Sequence, residues 1–356
     1  HNISVSAGTD ISNLYLSVGY LNNTGTQLNQ SYTRYTTKFN GDITPVDWLS
    51  VGTALSISKT KQEYGSIYRS GSATGAKDLY GMALGMYTMA QPYDTTGQLI
   101  DFPGGNDGQN IWNPLIDVDN TLDKRWATYF QGNLYGEVSF TPWLKYRINF
   151  GAGLRYTRRG QWQGKGSTIR DVGENEQPTA AADLQTDDYY QWMVENLLYF
   201  DKSFGIHTIG ATLLQSAQAF QQEEADMSAE QIINDSPKWH DLGANLLGTL
   251  TGYKTAFKEW QLSSYMGRVN YALMDRYLLT ASVRYDGSSV LAPGNKWDVF
   301  PSFALAWKMQ EESFMKTVSQ INEMKLRFGY GVTGNASVDP YVTSGPLTQY
   351  DYIFGT

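Results

Sequence analysis

Cysteine is absent from all 356 residues. That excludes disulfide scaffolds, cysteine-ligated zinc, iron–sulfur sites and thiol catalysis. Charge is scarce, with Asp, Glu, Lys and Arg together at 17%, and acidic residues exceed basic ones, 35 against 27. A basic excess, the usual footprint of a nucleic-acid binder, is therefore missing. Long hydrophobic runs are missing as well, and none approaches the roughly 18 residues that a spanning helix needs. No secretory signal pattern opens the chain; His1-Asn2-Ile3-Ser4 is already strand-like. That opening suits a cytosolic chain, a mature chain or an internal stretch equally. What is abundant is glycine, 35 residues, and aromatics, 14% of the chain, a content that argues against disorder.

Strict two-residue alternation recurs along the sequence. Tyr277, Leu279, Ala281, Val283 and Tyr285 fall on one side, with Thr280, Ser282, Arg284 and Asp286 on the other. Successive strand side chains point to opposite faces, so this is a strand with one apolar and one polar face. Similar alternation runs through 49–58, 130–140, 144–156 and 324–332. Weaker versions cover 2–7, 14–21, 31–43, 188–200, 205–221, 259–273 and 299–308. The template predicts about twelve strands.

Short and long connections alternate between them. Tight turns fall at 9–13, 44–47, 141–142, 201–204 and 274–275, and a longer turn with a short helical piece at 309–321. Long polar stretches fall at 22–30, 66–127, 158–187, 222–258, 287–298 and from 334 onward. An up-and-down meander has this layout when one end of the sheet carries turns and the other carries elaborated loops, as in transmembrane β-barrels. Trp48, Trp143, Tyr199, Phe200, Phe204, Tyr271, Tyr277 and Trp307 cluster near the short-turn end, where amphipathic rings suit a membrane–water border. The competing reading is a soluble β-sandwich with aromatic core positions. Strands of ten or more residues favour the membrane, since a bilayer takes roughly 9–11 residues and a sandwich about five to six.

Several stretches then resemble a known family. They are Trp260 to Tyr271, Arg284-Tyr-Asp286-Gly287-Ser288-Ser289, Asn295-Lys-Trp297, Phe300-Pro301-Ser302, Ala306-Trp307, Glu311-Glu312-Ser-Phe314, and Lys325 through Gly331 to Gly334-Asn335. Earlier pieces agree in order: His1 to Ser6, Leu16 to Leu21, Trp48 to Gly52, Trp143 to Arg147, and Asn196 to Leu198 with Lys202 to His207. Together they are similar to the barrel of SusC/RagA-type TonB-linked outer-membrane transporters. The resemblance implies an all-β fold: a transmembrane antiparallel up-and-down β-barrel, with these roughly twelve strands part of a larger plugged barrel and long extracellular loops. It makes residues 1–356 a partial barrel domain without the plug, energy-coupling box and terminal strands. Such an internal piece is expected neither to insert stably nor to transport alone, because its open edges leave backbone groups unpaired.

Further expectations follow from the resemblance. The function is import of oligosaccharides or peptides across the outer membrane of a Gram-negative, Bacteroidetes-like bacterium. The partners are a SusD-like surface lipoprotein, a TonB complex reached through the absent N-terminal parts, outer-membrane lipid and a glycan or peptide substrate, with no nucleic acid. No enzyme activity, cofactor or metal is expected. Alternatives are a passive pore or adhesin barrel, and a soluble all-β glycan-binding module or hydrolase. Candidate substrate contacts lie in the 66–127 stretch, at Tyr80, Tyr87, Tyr93, Asp101, Asp107, Asn110 and Trp112. Aromatic faces beside Asp and Asn suit sugar rings; loop self-packing or contact with a lipoprotein is the alternative use of the same residues.

Other patterns look chemical. Gly329-Tyr-Gly331-Val-Thr-Gly334 has dinucleotide-site spacing, but a loop is expected to follow instead of the phosphate-binding helix. Asp117-Val-Asp119-Asn120 begins like a calcium loop, yet Leu122 and Thr128 stand where glycine and glutamate are required. His1, His207 and His240 lack ligand spacing. Glu223, Glu224 and Asp226 read as a solvated loop face, and Glu311-Glu312 as a turn or a first helical turn.

Overall fold

The computed structural model describes residues 1–66, 79–105, 111–170, 177–234, 236–243, 249–315 and 320–345. Twelve strands follow in chain order: β1 (Asn2–Thr9), β2 (Ser12–Thr24), β3 (Gln30–Val46), β4 (Leu49–Tyr64), β5 (Thr121–Thr141), β6 (Leu144–Gln163), β7 (Ala180–Phe204), β8 (His207–Ile232), β9 (Thr249–Leu273), β10 (Tyr277–Ser288), β11 (Trp297–Lys308) and β12 (Lys325–Gly331). They form one antiparallel sheet in the order β1 to β12, each strand bonded to its sequence neighbours. Two short helices, α1 (Leu79–Gly85) and α2 (Leu115–Asn120), lie between β4 and β5. Among the described residues no helix is long and apolar enough to cross a membrane.

The register extends the alternation of single strands into two continuous surfaces. Ile3, Val18, Thr37, Ile57, Phe130, Leu154 and Tyr190 are successive partners across β1–β7. Leu144, Phe200, Ala211, Val269, Ala281, Phe303 and Tyr330 continue the same face across β6–β12. Many of these side chains are bare: Leu134 is 51% exposed, Leu213 59% and Phe328 60%. A water-soluble monomer rarely leaves so wide an apolar surface uncovered. The opposite face carries Asn133, Gly151, Gly153, Arg268, Thr280 and Arg284, one residue out of phase.

Aromatics mark both borders of the apolar face. At the short-turn end Trp143 meets Phe200 at 5.4 Å, and Tyr277 meets Trp307 at 6.3 Å. Glu312, in the turn beyond β11, accepts from the Tyr277 hydroxyl (2.7 Å) and the Trp307 indole (3.0 Å). These donors, Tyr277 first, hold its carboxyl below the usual carboxylate range. At the long-loop end Tyr285 stacks on Trp297 at 4.7 Å, with Tyr265 at 6.3 Å. A ring with one wet edge and one oily face suits both borders.

The central strands outrun the sequence expectation. β5 to β9 have 21, 20, 25, 26 and 25 residues. They take in residues 121–127, 158–163, 180–187, 222–232 and 249–258, which the alternation left as loop. A span of about 9–11 residues suffices for the bilayer, so these strands continue well beyond it. With water on both sides a strand needs no apolar face, and the signal of alternation fades. At one place on the projecting wall, protein covers apolar residues. Trp162 and Gly160 share the face of Leu154, and Trp239, from the Lys238–His240 turn, folds onto them. It is only 3% exposed and lies 6.2 Å from Trp126. A Cβ on Gly160 would stand 2.3 Å from the Trp239 ring, so glycine makes this lid possible.

Candidate functional site

The loop segment between β4 and β5 gathers some of the expected residues. Asn113 is its organiser: 1% exposed, it donates through Nδ2 to the carbonyls of Pro92 and Ile100, both at 2.9 Å. Its backbone N–H donates to the carbonyl of Asp101 at 2.8 Å. Trp112 therefore sits beside Asp101, against Phe102 at 4.4 Å, and is half-buried. Tyr93 pairs with Leu99 in a small bridge and keeps 49% of its surface exposed; Tyr87 keeps 50%. Tyr80 belongs to α1, while Asp107 and Asn110 lie outside the described residues.

Asp117 forms no cation loop. It lies in α2, fully buried, and accepts from the Thr168 N–H (2.8 Å) and hydroxyl (2.6 Å), 51 residues away. Burial raises its carboxyl above the usual range, and the two Thr168 donors oppose that only in part. Among the described residues no cluster of three or more His, Asp or Glu could hold a metal. The glycine motif ends β12, and residues 332–339 after it are not helical.

The polar face becomes densely charged near the long-loop end. Arg159 forks onto Asp123, which also accepts from Gln161 at 2.9 Å. Arg155 bridges both oxygens of Asp187, at 3.2 and 3.1 Å, and Gln222 donates to Asp187 (3.2 Å) and Glu224 (2.7 Å). Of these groups Arg159, Asp187 and Glu224, with Tyr64, Arg125, Gln185 and Asp226, line a polar cavity of about 280 Å³. The sequence reading of Glu223, Glu224 and Asp226 as a loop face is corrected here. All three are in β8, and alternation places Glu224 and Asp226 inside and Glu223 outside.

Below this charged zone lies a feature that the sequence reading missed. Tyr189 of β7, Phe220 of β8 and Trp260 of β9 are on the polar face, out of phase with Tyr190, Ala219 and Gln261. Tyr189 and Phe220 meet edge to face at 4.8 Å, and Phe220 stacks on Trp260 at 5.6 Å. The Arg155 guanidinium lies 5.0 Å from the Tyr189 ring. The signal was present as a breach of phase: three aromatics on the wrong side of their strands.

Towards the short-turn end the polar face is cross-linked. Tyr135 donates to Asp42 at 2.7 Å, Arg147 lies 3.8 Å over the Tyr135 ring, and Glu137 pairs with Lys145 and Arg147 at 3.5 and 3.6 Å. Gly52 makes room, since a Cβ there would come within 2.3 Å of both Tyr135 and Asp42. Such a wall holds ions and amides against water while its other side faces oil, a division suited to enclosing a wet passage.

No family model matches the chain. Its sequence is 30% identical over 363 residues to TonB-dependent receptor P3 of Formosa agariphila, covering 99% of this chain and 34% of that protein. It is 26% identical over 388 residues to TonB-dependent receptor SusC of Bacteroides thetaiotaomicron, covering 99% of this chain and 36% of that protein. The chain thus spans about a third of the length of these curated relatives. Among solved structures, the RagAB peptide transporter superposes with a TM-score of 0.77 at 19% identity, over 95% of this chain and 37% of that one. The likeness at that identity is one of fold.

Proposed function

We propose that this chain, similar over nearly all of its length to TonB-dependent receptors, belongs with them and forms part of the wall of an outer-membrane nutrient importer. In this reading its twelve strands make up roughly half of a twenty-two-stranded plugged barrel. The apolar face meets lipid, and the polar face lines the path of a hydrophilic oligosaccharide or peptide. A SusD-like lipoprotein covers the long-loop end, and a TonB complex acts through other parts of the receptor. The role is transport, without catalysis.

One observation carries the proposal: a single sheet with a bare apolar face, aromatic at both borders, backed by a face of ions, amides and glycines. The relatives' names support the direction of transport. Within the 79–120 loops, Tyr93 and Trp112 are assigned to cargo, with Tyr80, Tyr87 and Asp101 as further candidates; Asp107 and Asn110 lie outside the described residues.

Deleting the gene of the complete receptor in its host tests the proposal. Growth should fail on one class of oligomeric nutrient and persist on its monomers. Tyr93→Ala with Trp112→Ala should lower uptake at least threefold. Unchanged growth on every oligomer tried would end the import reading; unchanged uptake in the double variant would end the loop assignment alone.

A further inference from the structure

We propose that Tyr189, Phe220 and Trp260 form a binding platform for the ring faces of a neutral oligosaccharide on the inner wall. The inference rests on the import reading and adds a site and a ligand class to it.

The three residues occupy adjacent strands. Tyr189 is the partner of Gln222 across β7–β8, Phe220 is the partner of Gln191, and Phe220 is the partner of Trp260 across β8–β9. With strands about 4.8 Å apart, the row is about 10 Å wide. Its members are half-buried, so part of each ring stays accessible. Most of their neighbours on this face are polar, Arg155, Gln191, Gln218 and Gln222 among them, with Met193 and Leu262 next towards the short-turn end; lipid lies on the other side. Aromatic area on a wet wall is costly to expose unless a ligand covers it.

The ligand class follows from what surrounds the rings. Gln191 accepts from the Tyr189 hydroxyl at 2.7 Å, and Gln222 donates to Asp187 and Glu224. Amides both donate and accept, as sugar hydroxyls do. The charges nearest Tyr189 are already spent on each other, Arg155 on Asp187. A pyranose offers C–H edges to the negative face of an aromatic ring and hydroxyls to the amide rim. It brings no charge that would need a counter-ion. A short peptide brings charged termini, and its carboxylate would have to seat on Lys258, the partner of Gln222 on β9. Lys258 makes no ion pair among the described residues. The two classes therefore differ in their dependence on Lys258 and on salt.

The test uses the complete receptor, purified in detergent, and isothermal titration with linear hexasaccharides of glucose, mannose and xylose, beside a glycine–alanine hexapeptide. At least one hexasaccharide should bind, with a Kd raised tenfold or more by Trp260→Ala and threefold or more by Phe220→Ala. Trp260→Phe should restore binding to within threefold, which separates ring contact from misfolding. Lys258→Gln and added salt should change that Kd less than twofold, and Tyr190→Ala, on the lipid side, should leave it unchanged. Three results overturn the assignment: no hexasaccharide binds, Trp260→Ala binds like the wild type, or the hexapeptide binds instead and loses affinity in Lys258→Gln. If the gene deletion still abolishes growth on an oligomeric nutrient while every hexasaccharide fails to bind, import stands and the platform falls. If Trp260-dependent binding is found but deletion costs no uptake, the platform stands and import falls.

Discussion

Replacing Leu134 by Arg puts a charge where the structure places lipid. Leu134 lies six residues along β5 from Phe140, which is 60% exposed at the short-turn border of the apolar face. At about 3.3 Å per residue and a tilt of about 40°, that is a height of about 15 Å. The apolar band of such barrels is about 25 Å tall, so Leu134 stands within a few ångströms of the midplane. Arginine there should cost about 2–4 kcal/mol. Asn133, its neighbour in sequence, is also exposed but faces the other way, partnered with Ala54 and Gly151. Asn133→Arg should cost no more than about 0.5 kcal/mol. Urea titration of the complete receptor folded into phospholipid vesicles measures both, as shifts in the unfolding midpoint at constant slope. Equal costs for the two variants, or a free Leu134→Arg, would refute the assignment of the two faces.

Other consequences concern the extracellular end. Burial makes Asp117 hold its proton more tightly in the fold than in the unfolded chain, so the stability of the segment that buries it is fully present in acid and is lost as pH rises above the ordinary carboxylate range, the Thr168 donors offsetting only part of the loss. Hydrogen exchange at 164–170, corrected for intrinsic rates, should show protection falling from about pH 4 towards neutrality. Asp117→Asn should flatten that dependence. Trp239→Ala removes the lid on Gly160 and Trp162; by the usual cost of truncating a buried Trp it should free residues 236–243 by about 3–5 kcal/mol. Exchange there should quicken more than a hundredfold while the unfolding midpoint of the membrane strands moves little.

All twelve strands were legible because lipid on one side and water on the other impose a two-residue period, as in Tyr277–Asp286. The same reasoning lost the upper ends of β5 to β9, where Gln222-Glu223-Glu224-Ala225-Asp226 is a strand wetted on both sides. The inner platform escaped because an aromatic residue counts as apolar wherever it stands; only its phase against Ala219 and Gln261 distinguishes Phe220 from a lipid-facing ring. The Asp117–Thr168 clamp joins groups 51 residues apart, and nothing local in Asp117-Val-Asp119-Asn120 announces a partner at that distance. Loop residues chosen by type fared according to place: Trp112 and Asp101 are held together by Asn113, a residue that the candidate list did not include.

Because the chain has no cysteine of its own, β5 can be read one position at a time once any cysteine elsewhere in the receptor is replaced by serine. Single cysteines at 130–140 of the complete receptor in vesicles, each carrying a nitroxide, report collision with oxygen dissolved in lipid and with a nickel chelate dissolved in water. Oxygen access should peak at 130, 132, 134, 136, 138 and 140, and nickel access at 131, 133, 135, 137 and 139. Profiles without that opposition would contradict a wall with one face in oil and one in water.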